Sequence, residues 1–425
     1  MRVLFLLHQG NMYSGGQGVY TSHVTRELAR LGHDVHLVVG PPWPETDDAV
    51  TVHRVPSYSV YRLLETGRLF FYGREPSSFF HPLNFYELAT SRAGQFSVMS
   101  AFSWRAYAKW RELQPIHHFD IVHDVQVLGY GSLMVHASGM PVVANIHHPL
   151  SIDRKNQVQQ ARGTRMKVRR AMFYPFFMQE VVARRMDQII TGSHNSRESV
   201  RRAFSLDDRR ITTIHDGVDT RVFRPLGLER KPGELLYNGN SDDRNKGARY
   251  LLDAAAILRD RGTDFHLTFV DRPNAELAPR MVRELGLEGR ITFTGRLSTA
   301  ELVQAHNQAQ VMVSPSLYEG FGLPAAEAMA CGTPVVATTA GAFPEVILDG
   351  ETGLLVPPGD ARALAGAIAA LLADPARRAS MGAAAARRIE EHFSWRACAE
   401  KTAALYGEVL GRRCAGQRSH PDNAT

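Results

Sequence analysis

The chain has 425 residues, of which 44% are apolar and 22% are charged, so it can form two domains with separate cores and shows no compositional sign of extended disorder. Its net charge of +6 favours anionic partners without naming one, and we expect no nucleic-acid partner. Its three cysteines are too few and too scattered for a disulfide framework or a zinc site, and they fit a reducing cytoplasm.

The chain opens with an apolar run, residues 3–7, behind a basic residue. This run is too short for the apolar core of a secretory signal, and we interpret it as a first buried strand. No window approaches the roughly 20 apolar residues of a membrane-spanning helix. We therefore expect a cytoplasmic protein.

Short apolar runs and amphipathic helices alternate over the first third of the chain. The predicted strands are residues 3–7, 35–39, a run starting at 121 and 142–146, and residues 19–31 form the first predicted helix. This alternation is typical of a doubly wound parallel sheet. Residues 56–115 are less regular and rich in Tyr, Phe, Ser and Arg, which fits either an acceptor-binding insertion or packing loops.

A second alternating series begins near residue 225. Its predicted strands are 235–237, 266–270, 291–293, 311–313 and 335–337, with helices that include 248–258 and 364–372. We predict an acceptor-binding domain over 1–224, a donor-binding domain over 225–394, and a helix and tail over 395–425. Ligands bind beyond the carboxyl ends of such strands, so two facing domains predict a site in the cleft between them.

The most informative segment is SPSLYEGFGLPAAEAMACGTPVVATT, residues 314–339, in which two glutamates bracket a glycine-rich turn. Gly320 and Gly322 permit a close turn, and Pro324 suits the start of a helix. The free N–H groups at that helix start can hold a diphosphate, while Glu319 and Glu327 can accept hydrogen bonds from hydroxyl groups beside it. Alternatively, the acidic residues only complement the helix dipole.

Two further segments offer backbone and side chains for such a ligand. Gly15 and Gly16 precede a predicted helix, where their N–H groups can approach a phosphate, although GGQG lacks the dinucleotide-binding spacing. His147 and His148 end a buried strand, and alternation does not tell which of the two points inward.

The 314–339 segment closely resembles the signature of retaining glycosyltransferases of family 4, which have the GT-B fold of two Rossmann-like domains. The resemblance covers nearly the whole chain and is weakest over 50–115. It implies that Glu319 binds the transferred sugar, that Glu327 binds the nucleotide ribose, and that His147 or its neighbour His148 contacts the sugar. It also implies that the helix containing Trp395 crosses back to the first domain.

The resemblance also assigns the remaining donor contacts. Lys246-Gly247 matches the family pattern, but Asn240 stands where members usually carry an arginine. Arg244 either supplies that missing charge or lies in a solvated turn. The donor-binding residues predicted in this way are Gly15, Gly16, Arg244, Lys246, Glu319, Gly320, Phe321, Gly322, Leu323 and Glu327.

We therefore predict a retaining hexosyltransferase that moves a sugar from a UDP- or GDP-linked donor to a hydroxyl or amine of a glycan, lipid or small metabolite. Glu319, His147 and Lys246 are its predicted catalytic residues. No cofactor is expected, and no Asp-x-Asp suggests a metal site, because Asp242 and Asp243 are adjacent and should diverge. The alternatives are a sugar-nucleotide 2-epimerase of similar fold and a non-catalytic sugar-nucleotide-binding protein.

Basic residues followed by aromatic residues fill the segment 154–185. Such a pattern can bind an anionic membrane surface, which would make the protein peripheral at the inner face of the membrane. An exposed basic helix whose aromatic side chains pack inward is the favoured alternative.

Overall fold

The computed structural model describes residues 1–10, 16–56, 82–92, 98–147, 163, 167, 177–272 and 274–418. The chain divides into two compact units. The first unit comprises Met1–Gly192, Ser196–Ile214 and Cys398–Thr425, and the second comprises Ser193–Asn195 and His215–Ala397.

The second unit begins earlier than the predicted domain boundary at residue 225. Residues 215–224, which the sequence assigned to the first domain, belong to the second unit. Val218 explains this assignment, because its N–H donates to the carbonyl of Phe393 and its carbonyl accepts from the N–H of Trp395. Gly217 is needed for this approach, since a Cβ there would lie 2.3 Å from the nitrogen of Trp395.

The first unit contains a seven-stranded parallel sheet in the order β3-β2-β1-β4-β5-β6-β7. Its strands are β1 (Arg2–Leu7), β2 (Asp34–Val39), β3 (Val50–Arg54), β4 (Ile121–Val125), β5 (Val142–Asn145), β6 (Gln188–Thr191) and β7 (Ile211–Thr213). The central strands are buried on both faces; β1 is apolar after its first residue, whereas β4 also buries His123 and Asp124.

Helices flank this sheet. They are α1 (Gln17–Arg30), α2 (Pro82–Arg92), α3 (Val98–His117), α4 (Tyr130–Ala137), α5 (Met178–Ala183) and α6 (His194–Phe204). A 3-10 turn, Asp208–Arg210, precedes β7. The buried faces of α3, α4 and α5 pack with the sheet into one apolar cluster that includes Phe102, Val135 and Val182.

The second unit contains a six-stranded parallel sheet in the order β10-β9-β8-β11-β12-β13. Its strands are β8 (Glu234–Asn238), β9 (His266–Val270), β10 (Ile291–Phe293), β11 (Val311–Ser314), β12 (Val335–Thr338) and β13 (Gly353–Val356). Its helices are α7 (Ala248–Asp260), α8 (Leu277–Glu284), α9 (Thr299–Gln308), α10 (Leu323–Ala330), α11 (Phe343–Val346), α12 (Ala361–Ala373) and α13 (Pro375–His392).

The order of strands reverses once in each sheet, between β1 and β4 in the first unit and between β8 and β11 in the second. Loops that leave neighbouring strands in opposite directions open a crevice at such a point, where doubly wound sheets bind ligands. The loops that follow β8 and β11 contain Lys246 and Glu319, so the fold places these two predicted residues at the switch point of the second sheet.

The last helix, α14 (Trp395–Arg418), starts in the second unit and returns to the first. From Cys398 onward it belongs to the first unit, where the hydroxyl of Tyr406 lies 2.5 Å from Nδ1 of His123 on β4. Arg413 makes two hydrogen bonds to the carboxylate of Asp187, at 2.7 and 2.8 Å. The predicted architecture of two Rossmann-like domains and a returning helix is therefore confirmed. The cleft between the domains stays a prediction.

No helix in the described part of the chain combines the length and apolar character needed to cross a bilayer.

Candidate active site

Two loops of the second unit pack directly against each other beyond the carboxyl ends of β8 and β11. The N–H of Leu317 donates to the carbonyl of Asn245 at 2.7 Å. A Cβ on Gly247 would lie 1.9 Å from the carbonyl oxygen of Pro315, and the positive φ of +65° also favours glycine there. Only a glycine lets the loop that carries Lys246 come this close to the loop that carries Glu319.

This close approach joins Lys246 and Glu319 in an ion pair. Lys246 Nζ donates to Oε2 of Glu319 at 2.9 Å, and the hydroxyl of Ser316 donates to the same oxygen at 3.3 Å. The Lys246 side chain is 33% exposed and that of Glu319 is 13% exposed, so both remain accessible to a ligand. Two predicted site residues that are far apart in sequence therefore meet.

The backbone of Glu319 is held in place from the opposite side by the turn after β12. The N–H of Ala342 donates to the carbonyl of Glu319 at 3.1 Å. A Cβ on Gly341 would lie 1.9 Å from that carbonyl oxygen, and φ at Gly341 is +61°. Glu319 is thus positioned by its backbone as well as by Lys246 and Ser316.

The glycine-rich turn then leads into α10. Gly322 has φ +94°, and a Cβ there would lie 2.5 Å from the ring of Phe343, whereas a Cβ on Gly320 would meet open space. Pro324 is the second residue of the helix, and no acidic residue lies in its first turn. The N-terminal N–H groups of α10 and its dipole therefore favour an anion at this turn.

Glu327 lies inside α10 and faces a buried histidine that the sequence did not single out. Its side chain is 19% exposed, and burial raises the pKa of its carboxyl to about 8. His306 on α9 is fully buried, and Nε2 of its ring lies 3.9 Å from Oε2 of Glu327. Burial lowers the pKa of His306 to about 3, so a neutral ring packs beside Glu327.

Arg244 and the residues around it behave mainly as turn formers. Arg244 is exposed, and its side chain makes no hydrogen bond or ion pair within the described residues. Oδ1 of Asn240 accepts from the N–H of Asp242 at 3.1 Å. Asp242 accepts from the N–H of Leu277 and from Arg272, whereas Asp243 accepts from the N–H of Asn245, so the adjacent carboxylates do diverge.

The first unit contains two of the predicted site residues among those described. Gly16 precedes α1 with φ +70°, and His147 follows β5 with its ring edge-on to Tyr20 at 5.3 Å between ring centroids. The N–H of His147 donates to Oε1 of Gln126 at 2.9 Å. Gly15 and His148 lie outside the described residues.

A tight turn after β4, at the switch point of the first sheet, is the feature that the sequence missed in this unit. Gln126 and Leu128 have φ values of +55° and +43°, which non-glycine residues rarely adopt. The buried carboxylate of Asp124 supports the turn by accepting from the N–H groups of Val127 and Leu128. Burial raises the pKa of Asp124 to about 6. Strained turns of this kind cluster at ligand sites. In the sequence, an aspartate near the end of a buried strand was the feature that could have indicated this turn.

Comparison with known proteins decides the family. The profile of Glycosyl transferases group 1 matches residues 219–388, and that of Glycosyltransferase Family 4 matches residues 14–222. The MMP alpha-(1->4)-mannosyltransferase of Mycolicibacterium hassiacum is 36% identical over 98% of this chain and 100% of its own. The chain belongs to the family 4 glycosyltransferases.

Solved structures agree with the fold of this glycosyltransferase. Sucrose-phosphate synthase from Thermosynechococcus elongatus matches with a TM-score of 0.71 at 23% identity, over 97% of this chain and 100% of that one. HepE of Anabaena in complex with UDP matches with a TM-score of 0.66 at 19% identity, over 96% of this chain and 100% of that one. At these identities the likeness shows the fold.

Replacing Gly341 with alanine tests how the backbone positions Glu319. We expect Gly341→Ala to lower the free energy of unfolding by more than about 1 kcal/mol, because the new Cβ clashes with the carbonyl of Glu319 at a positive φ. It should also reduce glycosyl transfer.

Gly366, inside α12 with open space at its Cβ, provides the matched control. Gly366→Ala should stabilise the protein by about 0.5–1 kcal/mol and leave transfer unchanged. Equal stability changes in the two variants, measured by urea unfolding, would contradict the account.

Proposed function

We propose that this glycosyltransferase moves a mannosyl group from a nucleotide-diphosphate sugar to a hydroxyl of a saccharide acceptor, with retention at the anomeric carbon and without a metal ion in the reaction. The ion pair between Lys246 and Glu319 at the start of α10 carries the donor-site part of the proposal. The mannosyl assignment rests on the relative that is 36% identical over nearly the whole chain. The comparisons give no support to the 2-epimerase alternative.

The ion pair is suited to exchange partners when the donor binds. In the free protein Glu319 offsets the charge of Lys246, so neither group is left unpaired in a partly buried site. A diphosphate placed at the start of α10 offers Lys246 stronger negative charge than one carboxylate does. Lys246 then turns to the phosphate, and the carboxylate of Glu319 becomes free to accept hydrogen bonds from hydroxyls of the sugar.

The chemistry of the proposal follows from this arrangement. The bond between the anomeric carbon and the donor phosphate oxygen breaks, and the acceptor oxygen forms a bond to the same face of that carbon. The acceptor proton passes to a donor phosphate oxygen. Lys246 and the N–H groups of α10 stabilise the charge that develops on the departing diphosphate, which lowers the barrier. Neither glutamate has to act as a nucleophile.

Glu327 binds the ribose of the nucleotide in this proposal. The carboxyl group of Glu327, one helical turn inside α10, has oxygens that can accept hydrogen bonds from the ribose hydroxyls beside a diphosphate held at the helix start. The neutral His306 ring, packed 3.9 Å from Glu327, helps to fix the side chain on that side. Gly16 and His147 keep the roles that the family resemblance implies, as predictions.

A screen of UDP-, GDP- and dTDP-linked sugars by thermal unfolding, in a buffer with a chelator, tests the donor assignment. One nucleotide mannose should stabilise the wild-type protein by about 2.7 kcal/mol at a hundred times its dissociation constant. Lys246→Met should bind that donor at least tenfold more weakly, whereas Arg244→Met, a change at an exposed neighbouring cation, should bind it normally. Stabilisation by none of these sugars, or only after magnesium or manganese is added, would contradict the corresponding part of the proposal.

The two glutamates should differ in what they bind. Glu319→Gln should lower the rate of transfer at least tenfold while the affinity for the nucleotide diphosphate stays within about threefold, because Lys246 remains available to the phosphates. Glu327→Gln should weaken the same nucleotide at least tenfold. Calorimetric titration with the nucleotide diphosphate and a transfer assay separate these effects. An equal loss of nucleotide affinity in both variants would refute the division of roles.

We also propose that segment 154–185 contacts anionic membrane surfaces. Most of this segment lies outside the described residues, but at its described end the side chains of Phe177 and Val181 are 70% and 43% exposed. Tyr130 and Met134, each 40% exposed, lie on the neighbouring helix α4. Aromatic and apolar side chains beside a basic stretch favour a lipid interface.

Sedimentation with vesicles tests this contact. The purified protein should bind vesicles that contain anionic lipids, and binding should weaken with added salt because basic residues provide the attraction. Phe177→Ser should reduce binding at least threefold, and Phe85→Ser, a change at an equally exposed aromatic residue outside the segment, serves as the matched control. Equal binding to neutral and anionic vesicles would rule the contact out.

A further inference from the structure

Three histidine side chains meet on one face of the first sheet. His36 lies on β2, His53 lies on β3, and His117 is the last residue of α3. His36 is paired in register with Thr51, so alternation along β3 brings His53 to the same face as His36. One ring nitrogen from each histidine lies within 4.8 Å of the other two.

The spacing of these nitrogens is close to that of metal ligands. Nδ1 of His36 lies 2.9 Å from Nε2 of His53, and the ring centroids of His36 and His117 are 4.5 Å apart. Zinc binds imidazole nitrogens at about 2.0–2.1 Å in a tetrahedron, so two such nitrogens on one ion are roughly 3.3 Å apart. The nitrogens of the three histidines lie within 4.8 Å of one another, which is near the separation that a shared ion would impose.

A carboxylate lies behind one of the three histidines. Oδ1 of Asp34 lies 3.3 Å from Nε2 of His36, and the other ring nitrogen, Nδ1, lies 2.9 Å from Nε2 of His53 and is the candidate ligand atom. A carboxylate behind a ligating histidine is the usual outer partner in zinc sites.

The cations near the cluster are balanced by carboxylates. Lys109 Nζ lies 2.7 Å from Oε2 of Glu112, and Arg2 Nε lies 3.3 Å from Oδ2 of Asp34. An incoming ion therefore meets paired charges rather than a free positive side chain. The ring of Phe119 packs edge-on against His36 and makes one wall of the site apolar.

We propose that His36, His53 and His117 bind a divalent transition-metal ion of the zinc class. Three imidazole ligands favour zinc, copper or nickel over magnesium or calcium, which prefer oxygen ligands. Water or another exogenous ligand would complete a tetrahedral zinc. The ion would link the edge strand β3, its neighbour β2 and the end of α3, and so stabilise this side of the first unit without contacting the donor.

A second group of potential ligands, His194, His215 and Glu345 in the second unit, is less suited to a metal. Oε2 of Glu345 accepts from the N–H of His194 at 2.8 Å, and Oε1 accepts from the N–H of Asn195 at 3.0 Å. Both carboxylate oxygens already hold backbone donors, and Oε2 also lies 3.0 Å from Nε2 of His215, so a metal ion there would compete with hydrogen bonds of the fold.

Metal titration of the full-length, untagged protein tests the proposal. After chelation and dialysis, the wild-type protein should bind one equivalent of Zn²⁺ and show a higher midpoint of thermal unfolding with ZnCl₂. His53→Gln should weaken this binding at least a hundredfold, because glutamine keeps an N–H donor toward His36 but offers no imidazole ligand. Asp34→Asn should weaken it by about 10–100-fold. His392→Gln, a change at an exposed histidine outside both groups, should bind zinc as the wild type does.

Either of two results would overturn the proposal. Absence of zinc binding by the wild type, or unchanged affinity in folded His53→Gln, would show that the three histidines form only a packed cluster. His117→Asn provides a second test, since this residue is partly exposed at a helix end and its replacement should preserve the fold. It too should lose at least a hundredfold in zinc affinity, and unchanged affinity would contradict the site.

Discussion

The proposed donor site of this glycosyltransferase depends on one ion pair, Lys246 to Glu319, formed where the order of strands reverses in the second sheet. The pair exists because Gly247 and Gly341 let three loops approach to distances that no side chain at either position would allow. Its electrostatic consequence is that the two charges offset each other. In the proposed function, donor binding is an exchange of partners that keeps each of these charges paired.

The same constraint explains why the site spans several segments of sequence. Lys246 follows β8, Glu319 follows β11, and the turn holding the carbonyl of Glu319 follows β12. Parallel strands place all three loops at one edge of the sheet, so a small backbone shift in any of them changes the position of Glu319. In the proposed function, substitutions in these loops can therefore change selectivity for the donor sugar, even at residues that do not contact the sugar.

Much of this architecture could be predicted from the sequence, because alternating apolar runs identify parallel strands and glycine-rich turns identify the loops that bind phosphate. Two separate sequence patterns predicted Lys246 and Glu319 as site residues. Their contact joins residues 73 positions apart and required the packing of Gly247 on Pro315, which no local pattern reveals.

Other features were beyond the sequence for similar reasons. His306 looks like an ordinary polar residue of an amphipathic helix, yet it is fully buried against Glu327. The grouping of residues 215–224 with the second unit depends on Val218, whose partners, Phe393 and Trp395, lie far along the chain. The three clustered histidines of the first unit are likewise scattered in sequence. The spacing of the cysteines, from which the sequence was judged for a zinc site, gives no indication of them.

The stereochemistry of transfer tests the central claim most directly. The protein would be incubated with an α-linked nucleotide mannose and a mannoside acceptor, and the new glycosidic linkage would be assigned from the one-bond carbon–hydrogen coupling at its anomeric carbon. A same-face reaction, driven by stabilisation of the departing diphosphate, predicts an α-linked product. A β-linked product would show that the acceptor attacks from the opposite face and would contradict the account.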